Sequence, residues 1–74
     1  MPYIAIKAYP KDEATVKELV ERINETVIEV VGCPPKAVSI SFEAVDPDDW
    51  DERIAEGEMA KAAEFMMIRN GERL

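Results

Sequence analysis

The chain has no histidine and only one cysteine in 74 residues. Lack of histidine removes the usual side-chain base near neutral pH and disfavours most zinc and iron sites, which are built on imidazole and thiolate. One cysteine cannot close an internal disulfide, and its sparing use suits a reducing compartment, read as the cytoplasm. Cys33 lacks a histidine partner for thiolate chemistry, so it reads as an idle or buried thiol. Basic residues are also scarce: nine against sixteen acidic ones, for a net charge of −7. That imbalance argues against a nucleic-acid backbone or an anionic membrane as partner, while a local group of cations can still hold a small anion. No apolar run reaches the roughly 18 residues of a membrane span. The N-terminus has neither the basic stretch nor the apolar core of a secretory signal.

The length fits one domain, residues 1–74. So short a chain buries little of its surface, and disulfides, metals or self-association usually reinforce such folds. With the first two disfavoured, self-association is expected. The 47% hydrophobic content is enough for a fold with apolar surface left over for an interface.

Residues 3–9 alternate loosely, with Ile4 and Ile6 on one face and Tyr3, Ala5, Lys7 and Tyr9 on the other; Pro10 ends the strand. Asp12 stands as N-cap before a long helix whose apolar residues are Val16, Leu19, Val20, Ile23, Val27, Val30 and Val31, at steps of three and four. Gly32 and Cys33-Pro34-Pro35 stop it. Residues 37–45 alternate cleanly, with Val38, Ile40, Phe42 and Ala44 facing one way and Ser39, Ser41 and Glu43 the other. The unit is βαβ with parallel strands, and two strands are too few to stand alone. Asp46-Pro47-Asp48-Asp49-Trp50 reads as a turn that starts a helix over 50–56. Gly57 interrupts that helix, and Met59, Ala62, Ala63, Met66 and Met67 recur at helical spacing over 58–67. Ile68 to Leu74 is a tail with a turn at Asn70-Gly71. The acidic run at 46, 48, 49, 51 and 52 lacks the spacing and glycine of a calcium loop and reads as helix-start charge. The methionines read as core or interface filler.

Pro2 follows the initiator methionine. Methionine before a small residue is usually trimmed, which here leaves a secondary amine as the amino terminus. Such an amine acts as a general base once its surroundings lower its pKa, and it is the best base this chain offers.

The Pro-Tyr-Ile-Ala-Ile start, the Lys-Glu-Leu-Val of the helix, the Pro-containing bend and the Val-Ser-Ile-Ser-Phe strand leading to Trp50 together resemble the 4-oxalocrotonate tautomerase family. The longer C-terminal segment looks most like its dimeric bacterial branch. The resemblance implies an α+β fold: a β-α-β subunit with parallel strands and a C-terminal helical segment. It further implies a sheet completed by dimerisation, with hexamers in some members. It also implies keto–enol tautomerisation of small 2-oxo acids or their enols without metal or cofactor, using the terminal proline, Pro2, as base and acid. Where the family carries substrate-binding arginines, this chain has Lys11 and Ser39; the family's aromatic residue is matched by Trp50. A monoacid, such as an arylpyruvate-like enol, therefore suits it better than a dicarboxylate.

Tautomerisation needs a base at the donor atom and an electrophile near the developing oxyanion. Pro2 supplies the first, with Lys7 or Lys11 as nearby charge and Tyr3, Phe42 and Trp50 as apolar walls. Each has a plainer reading: Lys11 as a solvated lysine, Ser39 as polar-face filler, Trp50 as an anchor for the last helix. Arg69 and Arg73 either close over a neighbouring subunit's pocket or belong to a solvated tail. Related proline-dependent reactions on unsaturated acids (hydration, dehalogenation, decarboxylation) stay open. So do an inactive dimeric module of the same fold and an acidic adaptor for a basic partner.

Overall fold

Strands β1 (Tyr3–Ala8) and β2 (Ser39–Ala44) pair in parallel, Tyr3 opposite Ser39 and Ala8 opposite Ala44, in a computed structural model that describes residues 1–74. Backbone bonds continue the ladder past both ends, Ser39 N–H to the Pro2 carbonyl at 3.1 Å and Val45 N–H to the Ala8 carbonyl at 2.8 Å. Parallel strands need a long crossover, and helix α1 (Glu13–Val31) supplies it. The register puts Ile4, Ile6, Ile40 and Phe42 on one face of the sheet and Tyr3, Ala5, Lys7, Ser39, Ser41 and Glu43 on the other. The first set is half-buried, as are Val16, Val20, Ile23, Asn24, Val27 and Ile28 of α1.

Three side chains expected on the packed face of α1 are exposed: Leu19, and more fully Val30 (78%) and Val31 (62%). Nineteen helical residues span about 28 Å, whereas six strand residues span about 20 Å, so the helix outruns the sheet that should cover it. Gly32 ends it in the left-handed region (φ 75°), its N–H bonded to the Ile28 carbonyl, a conformation glycine adopts without the usual Cβ conflict.

Residues 47–61 form one helix, α2, where the sequence predicts a break at Gly57. It opens at Pro47–Trp50, with the Asp46 carboxylate accepting from the Asp48 N–H at 2.9 Å. It widens to π-type winding over Asp51–Glu58 and closes as Met59–Lys61. In the wide turn Met59 N–H reaches back five residues to the Ile54 carbonyl. Gly57 fits there because a Cβ would stand only 3.1 Å from the Glu52 carbonyl oxygen. Glycine permits this winding instead of ending the helix.

The remaining tail is a hairpin, not a solvated coil. After a 3₁₀ turn at Ala63–Phe65, β3 (Ile68–Arg69) pairs antiparallel with β4 (Glu72–Arg73). Asn70 (φ 50°) and Gly71 (φ 81°) make the turn, the positive-φ pair that tight hairpins favour. The helical spacing through Met67 therefore does not persist: Met66 and Met67 lead into β3. The core is minimal. Only Val45 (1% exposed) and Ile54 (4%) are fully buried.

Candidate active site

Pro2 heads β1. Its carbonyl is held by Ser39, and having no N–H it loses nothing by standing first in a strand. Its nitrogen faces the chain start and is joined to Met1, whose side chain lies in solvent. Ser39 is directly across the ladder, beside Pro2. Tyr3 stands next, its hydroxyl 3.4 Å from Ser41 Oγ.

Lys11 and Trp50 meet at the opposite end. With Lys7, Ala8 and Tyr9 they line a groove of about 330 Å³. The Trp50 and Tyr9 rings meet edge to face, centroids 5.2 Å apart and planes at 85°, an arrangement that favours aromatic pairs by about 0.5–1.5 kcal/mol. A six-residue strand separates the two groups. Within one subunit Pro2 and Ser39 thus lie roughly 20 Å from Lys11 and Trp50.

Electrostatics single out one lysine in the groove. Lys7 Nζ donates to Glu43 Oε1 at 2.8 Å and to Glu58 Oε2 at 3.4 Å, while Arg53 Nη2 donates to Glu43 Oε2 at 2.8 Å. The hydrogen bond from Lys7, then that from Arg53, holds the Glu43 carboxyl down to about 2. The bond to Glu43 raises Lys7 in turn. Lys7 is therefore committed to its own carboxylates and is not the free charge that the sequence suggests. Lys11 meets no carboxylate of its own subunit. Phe42, expected as a wall, faces the α1 side of the sheet. The largest hollow, about 380 Å³ among Thr15, Glu18, Leu19 and Arg22 on a flank of α1, has one apolar residue and none of these groups, so chemistry points to the smaller groove.

Two sequence relatives are named as tautomerases. A protein described as a probable tautomerase from Xylella fastidiosa is 31% identical over 72 residues, covering 96% of this chain and 88% of the relative. Tautomerase PptA of Cronobacter sakazakii is 22% identical over 73 residues, 96% of each chain. No protein-family model matches the chain.

The chain belongs to the 4-oxalocrotonate tautomerase-like family. Its activity is of the tautomerase, hence isomerase, type, and its β-α-β start fits that fold. No helix is long and apolar enough to cross a membrane. Among the residues around this tautomerase's groove, Tyr9 and the pairing of Lys7 with Glu43 escaped the sequence reading. The parallel register makes Lys7 and Glu43 direct neighbours, so that pair was available once both strands were aligned. Tyr9 gave no such signal, because its partner Trp50 comes from another element.

Proposed function

We propose that this protein interconverts the enol and keto forms of a small 2-oxo monoacid in the cytoplasm, with Pro2, freed by removal of Met1, as general base and acid. The amine takes the proton from the donor atom of the substrate and returns it at the new position, so no net proton is gained or lost. The carrying observation is the position of Pro2, fixed through its carbonyl while its nitrogen lies at the chain start. Lys11, the unpaired ammonium of the groove, binds the carboxylate, and Ser39 offers a hydroxyl to the developing oxyanion. Trp50 walls the site against water. One free cation beside two aromatic rings favours a monoacid bearing a flat, conjugated body.

Pro2 and Lys11 lie too far apart to act within one subunit, so the reading includes a homodimer, with a hexamer as a further assembly. Two copies related by a two-fold axis through an edge of the sheet run antiparallel. The head of β1 in one copy then meets the tail of β1, and with it Lys11 and Trp50, in the other. The open shape supports this. The radius of gyration is 13.7 Å, against about 11 Å for a compact chain of this length.

The test joins intact-mass measurement to an enol-ketonisation assay on the same sample. Protein lacking Met1 turns over an enol-pyruvate, and Pro2→Ala lowers kcat/KM by about 10²–10⁴. Equal rates for the processed protein and Pro2→Ala would instead support a fold that has lost catalysis, a reading the tautomerase relatives do not favour.

A further inference from the structure

Beyond Trp50 the groove adjoins a second hollow, of about 320 Å³. Lys7 and Trp50 line both, and Ile54, Met59, Ala62 and Met66 complete the second one. Helix α2 and the turn after it build this wall. Ile54 is fully buried and anchors it. Met59 and Met66 are half-buried, and Ala62 between them leaves space open because it carries a single methyl group. The only charged side chains of the hollow are Lys7 and Glu58, and they are paired with each other. The Lys7 ammonium is committed to Glu43 and Glu58, so its aliphatic stem is what the residue offers at the boundary between the two hollows.

We infer that this second hollow receives an uncharged ring at the far end of the substrate, and that Met59 and Met66 set the preference among 2-oxo acids. The inference rests on the reading of Lys11 as the partner of the substrate carboxylate. Charge separates the two compartments. The first holds an ammonium with no carboxylate of its own, Lys11; the second offers no free cation. A second carboxylate there would meet Glu58 with nothing left to neutralise it. One carboxylate on Lys11 and an apolar body past Trp50 satisfy both compartments. Size narrows the class further. A cavity of about 150 Å³ holds a benzene ring, so this hollow has room for two fused rings, whereas a lone methyl group would leave it unfilled. Thioethers suit such a guest, because they adapt to irregular shapes and their sulfur contacts aromatic rings favourably. The class is therefore 3-aryl-2-oxopropanoates, two-ring members included, in preference to short or dicarboxylic 2-oxo acids.

Two measurements test it, one of them without turnover. Trp50 is the only tryptophan of the chain, so its fluorescence reports on both hollows. 3-Phenylpropanoate, which lacks the 2-oxo group, should change that fluorescence saturably, and propanoate should bind at least about tenfold more weakly. Met66→Gln puts a polar amide into the hollow and Ala62→Leu fills it. Each should lower the ratio of the two affinities at least about fivefold. In the enol-ketonisation assay, the enol of 3-phenyl-2-oxopropanoate should exceed that of 2-oxopropanoate in kcat/KM by at least about tenfold, and the same variants should shrink that ratio. Equal affinities for the two acids, no saturable binding of the phenyl acid, or folded variants that keep the wild-type ratio overturn the inference. Failure of the tautomerase reading has another signature: the acids bind in the expected order and the variants act as stated, yet no enol is turned over. That result supports the hollow as a ring site and removes Pro2 as base. If Met66→Gln does not fold, Ala62→Leu decides.

Discussion

Glu43 shows how a single side chain sorts the cations around the groove. Its two oxygens accept from Lys7 and Arg53, leaving Lys11 as the cation of the groove with no partner of its own. Because folding lowers the Glu43 carboxyl from 4.5 to about 2, its contribution to stability is complete above the ordinary value. It is lost as pH falls from about 4.5 towards about 2. Lys7 has the opposite sign: raised by folding, it contributes fully below its ordinary value, and that contribution disappears as pH rises through the raised one. Urea titrations of wild type and Glu43→Gln between pH 2 and pH 7 should therefore differ most at neutral pH and converge in acid. A gap that stays constant down to pH 2 would show that the carboxylate does not carry the effect. Lys11 admits an independent kinetic prediction. If it holds the substrate carboxylate in ground and transition states alike, Lys11→Ala raises KM roughly tenfold and leaves kcat nearly unchanged, with Lys11→Arg restoring most of the affinity. An unaltered KM removes Lys11 from the site.

Helix α2 marks where sequence patterning stops being a sufficient guide. Strand alternation from Tyr3 to Ala8 and from Ser39 to Ala44, the apolar face of α1 and its stop at Gly32 all follow from periodicity and backbone chemistry within each segment. Those signals are local, and the structure agrees with the strands and the helix stop, while Leu19, Val30 and Val31 of the expected apolar face stay exposed. Gly57 is different. Taken alone it weakens a helix, yet here a Cβ would stand 3.1 Å from the Glu52 carbonyl oxygen and push it aside by a few tenths of an ångström, a crowding set by winding that no residue type announces. Gly57→Ala should therefore lower Tm, although Gly→Ala inside an ordinary helix raises stability; a rise would mean that the wide winding relaxes to an α-helix at no cost. Gly32→Ala provides the contrast. Nothing crowds that position, and the penalty comes only from its left-handed backbone, about 1–2 kcal/mol by chemical denaturation. Of the site, Pro2, Ser39, Lys11 and Trp50 were visible as residue types, and the ladder explains Pro2 beside Ser39. Their division between the two ends of the sheet follows from parallel strands, with Pro2 and Ser39 at the strand starts and Lys11 and Trp50 beyond the strand ends; what was not legible is the contact of Tyr9 with Trp50, because it depends on how the turn after β2 sets α2 against the end of β1.

At the scale of the whole molecule, two fully buried residues are too few to sustain a folded monomer of ordinary stability, so folding and assembly should be one equilibrium. For a dimer, each tenfold rise in concentration adds about 1.4 kcal/mol, which for two such chains raises Tm by roughly 4 °C; a Tm independent of concentration would break the link. The same arrangement makes a sharper prediction about catalysis. If Pro2 of one subunit works with Lys11 of its partner, Pro2→Ala and Lys11→Ala homodimers each carry two damaged sites. Subunit exchange turns half of the population into hybrids. In a hybrid one site combines both altered residues and the other combines both intact ones, so about a quarter of all sites are whole. At substrate concentrations well below KM, where the Lys11→Ala site is slow as well, mixing the two variants should then raise activity above the average of the separate preparations towards a quarter of the wild-type rate, at the pace of subunit exchange. If Pro2 and Lys11 worked within one chain, every site in every hybrid would still be damaged and mixing would gain nothing.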